Sequence, residues 1–426
     1  MHPRPTTSPA RIFPPMPVNV SSEIGRLRGV IVHTPGPELL AVTPSNKEDY
    51  LYDDIIDLEA AQREHKRFVA ILERFATVHQ VRDLLGEIAS VPDARDLLIR
   101  EAMDITENQP LAREMAEISD EALVRLLVEG KPATPGPLSR TLNEEGYELP
   151  PLPNLFFTRD SAMIVNERVL VGSMRFEIRW MEELIMKALF TYHPLLANRG
   201  ILYDGSTERR TNYTLEGGDV HTLRPDTVIV GFSERSSPAA IDHLAQALFK
   251  EGRVEHMIVI VMPAELTAIH LDMIFSMVDR ELCVVYPPHF VGPERLPVLY
   301  WKKGQSQMKE MPNVFAALRT CGIALEPIFC GGERRLFQER EQWSSGCNFA
   351  AMRPGLVLSY SRNEWTLREM EKMGFQIVGA VDFLTGNGKV GDGDRAVITF
   401  EGSELVRGGG GARCMTCPVL REDPWG

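Results

Sequence analysis

Two periodicities alternate along this chain. Short β-branched runs, the mark of buried strands, stand at 28-RGVIVHT-34, 162-AMIV-165, 168-RVLVG-172, 227-TVIVGF-232, 257-MIVIVM-262, 282-LCVVYP-287, 356-LVLSY-360, 376-QIVGAV-381 and 396-AVITF-400. Between them, apolar residues recur at helical spacing over 55–75, 176–191, 238–250 and 364–373. Strand-strand-helix-strand units recur without a strict sequence repeat, which predicts an α/β fold built on a repeated supersecondary module. One stretch breaks the alternation. From 79 to 130 the chain is helical in character: Leu84, Leu85 and Ile88 form one stripe, and Leu97, Leu98 and Met103 another, behind Pro92 and Asp93 at a helix start. Leu123, Leu126 and Leu127 form a third stripe, ended by Gly130 and a Pro-rich loop over 131–140. The pattern predicts a helical bundle over 77–140, inserted into an α/β domain made of 21–76 and 141–426.

Composition narrows the class. With 44% hydrophobic and 25% charged residues the chain is ordinary globular material, and its 426 residues suffice for a sizeable core. The net charge of −13 (46 − 59) argues against nucleic acid as a partner and mildly favours a cationic small molecule. The six cysteines, at 283, 321, 330, 347, 414 and 417, are too few for a disulfide scaffold and fit a reduced compartment. Residues 1–20 contain six prolines and no apolar h-region, so they read as a PPII-like or disordered leader and not a signal peptide. No run approaches the roughly 18 apolar residues of a spanning helix. The expected location is the cytoplasm, with no membrane partner.

Five segments carry candidate chemistry: 154-NLFFTRD-160, 215-LEGGD-219, 231-GFSER-235, 270-HLD-272 and 406-VRGGGGARCMTCP-418. Each alone is weak. Asp160 could cap a helix, Glu216-Gly217-Gly218-Asp219 could be a turn in which glycine supplies a positive φ, and His270 with Asp272 could be a surface pair. Cys414 and Cys417 lack the second cysteine pair of a structural zinc site. They also lack the strand-to-helix context of a redox pair. Together the segments suit a guanidinium, which is planar and always cationic and needs compensating carboxylates in a closed site. Asp160, Glu216, Asp219 and Asp272 supply an acid-rich lining. A cysteine thiolate suits attack on the guanidinium carbon, and His270 can protonate the departing nitrogen. Glycines 408–411 would let the backbone turn tightly near Cys414.

The order and spacing of FTRD, EGGD, HLD and the terminal Cys-Met-Thr-Cys-Pro resemble the arginine deiminases of the guanidino-group-modifying superfamily. The resemblance runs from 23-EIGRLRGVIVHTPGPEL-39 to 414-CMTCPVLRED-423. It implies a pentein-like α/β propeller of pseudo-fivefold symmetry with an inserted helical bundle. By the same resemblance Cys414 is the nucleophile, His270 the general acid/base, Asp160 and Asp272 the carboxylates that grip the guanidinium, and Glu216 the carboxylate beside His270, with Asp219 its companion. Asn154, Arg179 and Arg235 match positions that hold the substrate's α-carboxylate and neighbouring groups. Arg407 resembles the mobile arginine of the loop before the nucleophile. Three positions depart from common patterns: Ser161 follows FTRD in place of proline, Met273 follows HLD in place of threonine, and 344-SSGCN-348 lacks an aspartate before its glycine.

The implied reaction is hydrolysis of L-arginine to L-citrulline and ammonia through a covalent S-alkylthiouronium, with no metal or organic cofactor. The alternatives are an agmatine deiminase, in which Arg179 and Arg235 would have no carboxylate to bind, an amidinotransferase, which would pass the amidino group to an amine, and a non-catalytic arginine-binding protein. The apolar stripes of the insertion either pack on one another alone or also serve subunit contacts in a homo-oligomer.

Overall fold

The computed structural model describes residues 17–142, 146–207 and 213–425. Among these residues the strands form five mixed sheets and one two-stranded ribbon. One unit underlies all five sheets: an antiparallel pair of strands, a helix, and a third strand that returns parallel to the second.

In the first unit along the chain, Ala162–Val165 and Arg168–Val171 run antiparallel, and Ile201–Asp204 returns parallel after the helix Trp180–Tyr192. The strand pair is joined through Asn166, whose φ of 55° suits a two-residue hairpin, one of the few places where a side chain tolerates the left-handed region. The parallel return needs a longer crossover, which the helix provides. The second unit comprises Val220–Arg224, Thr227–Phe232, the helix Pro238–Glu251 and His256–Val261. Its helix starts on Pro238, ends on Gly252 at φ 101°, and buries Ala240, Ile241, Leu244, Ala245 and Leu248 along one face. Two further strands, Val298–Lys302 and Lys309–Met311, widen this sheet. The third unit is Phe275–Met277, Leu282–Val285, Val314–Thr320 and Glu326–Phe329. The fourth places Ala350–Arg353 against Leu356–Tyr360, with Gln376–Gly379 and Ala396–Phe400 running parallel beside them. The fifth joins the two ends of the described chain: Cys417–Arg421 lies antiparallel to Leu27–Val32, and Thr77–Gln80 returns parallel after Leu58–Leu72.

That last strand corrects the predicted boundary of the insertion. Thr77–Gln80 (TVHQ) is short and half polar, and its partner lies more than forty residues upstream, so local pattern could not reveal it; the helices begin at Val81. Four helices follow, Val81–Ala89, Pro92–Thr106, Gln109–Glu117 and Asp120–Glu129. Their stripes do not close on one another alone. Leu85, Leu98, Leu123 and Leu127 share one apolar core with Leu184 and Leu189 of the helix Trp180–Tyr192 and with Ile164 and Val171 of the sheet beneath it. The leader is likewise shorter than predicted: Val18 and Val20 are buried, and Val20 bridges to Asn166. Residues 1–16 lie outside the described residues. All six cysteines are free and buried, and no described helix is long and apolar enough to cross a membrane.

Candidate active site

The five units place chemistry at one equivalent position. In each, the residues just ahead of the first strand carry a polar side chain into a common centre. Asp160 precedes Ala162–Val165, and Glu216-Gly217-Gly218-Asp219 leads into Val220–Arg224. His270 and Asp272 precede Phe275–Met277, Asn348 precedes Ala350–Arg353, and Cys414 precedes Cys417–Arg421. The glycines of the second segment serve close approach, not positive φ. A Cβ on Gly218 would sit 2.5 Å from Cγ of His270. Gly411 has the same role on the opposite side, where a Cβ would lie 2.7 Å from Asn348.

Around the centre, Cys414 is 4% exposed and its Sγ lies 3.6 Å from Oδ2 of Asp272. His270 Nε2 is 2.8 Å from Oε2 of Glu216, and its Nδ1 faces Asp160 at 3.8 Å. Burial disfavours the imidazolium, yet the Asp160 charge and the hydrogen bond and charge of Glu216 outweigh it and raise His270 to about 9. Burial also opposes the Glu216 carboxylate, but Arg235, His270 and Arg179 hold it down at about 2. At neutral pH this pair is therefore carboxylate and imidazolium. The thiol behaves in the opposite way. Burial, reinforced by the charges of Asp272 and Asp160, pushes Cys414 well above the usual thiol range, so the resting sulfur is protonated.

Two carboxylates of the site are deeply buried. Asp160 and Asp272 are 4% and 0% exposed, and each keeps one oxygen, Oδ1, with no hydrogen bond. Each open oxygen can still accept from a donor. The other oxygens are taken. Arg179 donates to Oδ2 of Asp160 at 2.8 Å, and Arg413 donates to Oδ2 of Asp272 at 2.9 Å.

The cationic residues are equally buried. Arg179 forks onto Glu182 through Nε at 3.0 Å and a terminal nitrogen at 2.8 Å. Burial works against its charge, but Glu182 and Asp160 keep it firmly protonated. Arg235 donates to Glu216 at 3.3 Å and lies over the Phe176 ring at 4.8 Å. Asn154 donates to the carbonyl of Tyr50 at 2.8 Å. Asp160, Glu216 and His270 converge closely enough to hold a cation, and Arg179 and Arg235 supply positive charge there. The space they leave against Cys414 is about 30 Å³, lined by Asn154, Asp160, Arg179, Arg235, His270 and Gly410 among others. That is roughly one water molecule's volume. A larger hollow of about 440 Å³ adjoins it and shares Leu51, Arg235, Ile269, Gly408 and Gly409.

The family model for arginine deiminase matches residues 48–421. The chain belongs to the arginine deiminase family. A curated relative named arginine deiminase, from Rhodococcus erythropolis strain PR4, is 32% identical over 96% of this chain and 98% of its own. Among solved structures, SxtG, an amidinotransferase of the saxitoxin pathway of Microseira wollei, is similar with a TM-score of 0.54. It is 13% identical, and the match covers 96% of this chain and 98% of that one, a likeness of fold.

Within this arginine deiminase family member the predicted site residues separate into four groups. Cys414, His270, Asp160, Asn154, Arg179 and Arg235 line the small cavity. Glu216 and Asp272 stand directly behind it, touching His270 and Cys414. Asp219 lies deeper: it accepts from Ser233 at 2.6 Å and from the Leu271 backbone at 2.9 Å, which ties the EGGD turn to the HLD turn. Arg407 lies apart. It is paired with Asp54 and Glu404 on a surface groove that it shares with Trp343 and Arg340. Sequence reasoning did not single out Glu23, Glu182, Asn348 or Arg413. Glu182 sits three residues after Arg179, a spacing that could have suggested the ion pair. Glu23 and Arg413 meet across nearly the whole chain, at 3.0 Å, and nothing local announces that contact.

Proposed function

We propose that this arginine-hydrolysing enzyme works by covalent catalysis, with Cys414 as nucleophile and His270 as the shuttle for protons. The observation that carries the reading is a protonated thiol under the charges of Asp160 and Asp272, two buried carboxylates that each keep an unbonded oxygen, Oδ1. A guanidinium placed between them supplies the absent donors and cancels the charge that holds the thiol protonated. Substrate binding thus drives the thiol proton out to solvent and leaves the thiolate.

The steps then balance. The thiolate adds to the guanidinium carbon, and the imidazolium of His270 gives its proton to the nitrogen that departs as ammonia. The covalent S-alkylthiouronium keeps the positive charge between the two aspartates. Neutral His270, held by Glu216, takes a proton from water as its oxygen bonds to the same carbon. The C–S bond breaks with its electron pair returning to sulfur, the remaining hydroxyl proton passes to solvent, and L-citrulline leaves.

Arg179 and Arg235 take the substrate α-carboxylate, with Asn154 beside them. Arg179 exchanges its contact with Asp160 for that carboxylate while Glu182 keeps its anchor. Arginine does not fit a space of about 30 Å³. Entry runs from the adjoining hollow past Leu51 and the Gly408–Gly409 backbone. Asp219 acts from behind, and Arg407, on its separate groove, acts at the entry side. The five repeated units are read as the blades of a pentein-like propeller, with the site at their common centre. The free cysteines support a reducing, cytoplasmic setting. A citrulline assay with arginine, with agmatine, and with arginine plus glycine tests the reading. Turnover of arginine alone is expected, agmatine turnover would favour the decarboxylated substrate, and a glycine-dependent product would favour amidino transfer.

A further inference from the structure

Asn348 is 1% exposed, and its side chain makes four hydrogen bonds, all with the catalytic segments. Its Oδ1 lies 2.8 Å from the backbone nitrogen of Arg413 and 3.3 Å from that of Cys414. Its Nδ2 lies 3.2 Å from the carbonyl oxygen of Asp272 and 3.1 Å from Sγ of Cys414. The partners fix which way the amide faces. Two backbone N–H groups can only donate, so the oxygen must face them; the carbonyl can only accept, so the NH₂ must face it. The group aimed at the sulfur is therefore a donor. Asn348 also holds, in the fourth unit, the same place ahead of the first strand that Asp160, Glu216, His270 and Cys414 hold in the others. Gly411 makes the approach feasible, because a Cβ there would collide with the Asn348 side chain.

We propose that Asn348 is a catalytic residue, donating a hydrogen bond to the Cys414 sulfur that strengthens whenever the sulfur carries negative charge. This rests on the reading of Cys414 as nucleophile. The sulfur of a cationic thiouronium is a poor acceptor and a thiolate a good one, so the bond is weak in the thiouronium and strong on either side of it. The donor acts most in the second half of the reaction. There the C–S bond breaks, its electron pair moves to sulfur, and the hydroxyl proton goes to solvent, leaving the urea carbonyl of citrulline. It serves sulfur as the donors of an oxyanion hole serve oxygen. Asp160 and Asp272 cannot do this, since their charge opposes a thiolate. Asn348 is the uncharged donor among side chains that repel the anion the mechanism requires.

The test compares Asn348→Asp with Asn348→Ala. Aspartate keeps an oxygen for the Arg413 and Cys414 backbone nitrogens but replaces the donor toward sulfur; alanine removes both. Thermal melting checks folding. The rate of Cys414 alkylation by iodoacetamide, at a fixed pH below the thiol's pKa, reads the thiolate fraction without needing turnover. The account expects both variants to alkylate about tenfold more slowly, corresponding to a rise of about one pKa unit. It expects a kcat loss of about tenfold or more, with a larger share of enzyme trapped as thiouronium after acid quench. Aspartate matching the unmodified enzyme in alkylation while alanine fails would make Asn348 a brace of the turn and overturn the proposal. So would unchanged alkylation in both. Gly411→Ala, which displaces the Asn348 side chain without altering it, should reproduce the slow alkylation if the donor matters, and normal alkylation there would also overturn it. Citrulline formation that survives complete alkylation of Cys414 is a separate result, and it would sink the nucleophile assignment itself.

Discussion

Arg179 shows why single-residue tests in this site must be chosen by charge. It is shared between Asp160 and the fork onto Glu182, all of them buried. Deleting its charge strands carboxylates, at a cost of roughly 3–5 kcal/mol that would be confused with loss of function. Arg179→Lys keeps the charge and loses the planar fork. It should lower kcat/KM for arginine by about tenfold while leaving the melting temperature nearly unchanged, and it should narrow the preference for arginine over agmatine. Equal effects on both substrates would remove Arg179 from the carboxylate clamp. The two cysteines of the terminal motif separate in the same way. Cys414→Ser should end turnover, since a serine hydroxyl is a far weaker nucleophile. Cys417→Ser should keep substantial activity. Cys417 points at the carbonyl of Ala162, 3.4 Å away, and burial pushes its thiol to about 12. The reverse pattern would reassign the nucleophile.

The turns ahead of the strands are where sequence was most and least informative. EGGD and HLD were legible because their chemistry is local: the acids and the histidine are named by the motif, and the glycines of EGGD answer to close approach, Gly217 to the Arg159 carbonyl and Gly218 to the His270 ring. The physical reason for those glycines was not legible. A turn with positive φ was the natural expectation, and close approach is what the structure contains. SSGCN was read only as a departure from a pattern, because an asparagine in a loop has many ordinary uses and its partners Arg413 and Cys414 lie more than sixty residues away. The pH dependence of the reaction belongs to these turns. His270 must enter the first step as imidazolium, and Asp160 and Glu216 keep it so up to about 9. Activity limited by that proton should therefore be sustained below about 9 and fall as pH rises through it. Glu216→Gln removes a charge and a hydrogen bond that favour the imidazolium, so the alkaline limb of kcat/KM should move to lower pH. A limb that stays in place would detach it from His270.

At the scale of the molecule, the alternation of strand and helix runs made the α/β class and the repeated unit legible, and the helical stretch announced an insertion. The pattern could not show that the fifth unit is assembled from both ends of the chain. That depends on the pairing of Leu27–Val32 with Cys417–Arg421, which no window of sequence contains. Nor could it show that the inserted helices share their core with the helix Trp180–Tyr192. This sharing predicts that the insertion and the sheet beneath it unfold together. Leu98→Ala, at a site 1% exposed, should cost about 2–5 kcal/mol and lower a single calorimetric transition without splitting it. An early separate transition would mark the insertion as an independent domain.

The central claim is that a buried, protonated thiol becomes the nucleophile when a guanidinium settles between Asp160 and Asp272. Acid quench of the enzyme during turnover of arginine labelled in its carbon chain tests it most directly, followed by digestion and mass analysis. The account predicts a peptide carrying Cys414 with the arginine-derived mass added and ammonia lost, and no such adduct in Cys414→Ser. Sustained citrulline formation without label on that peptide, at quench times that sample every stage of the first turnover, would contradict it.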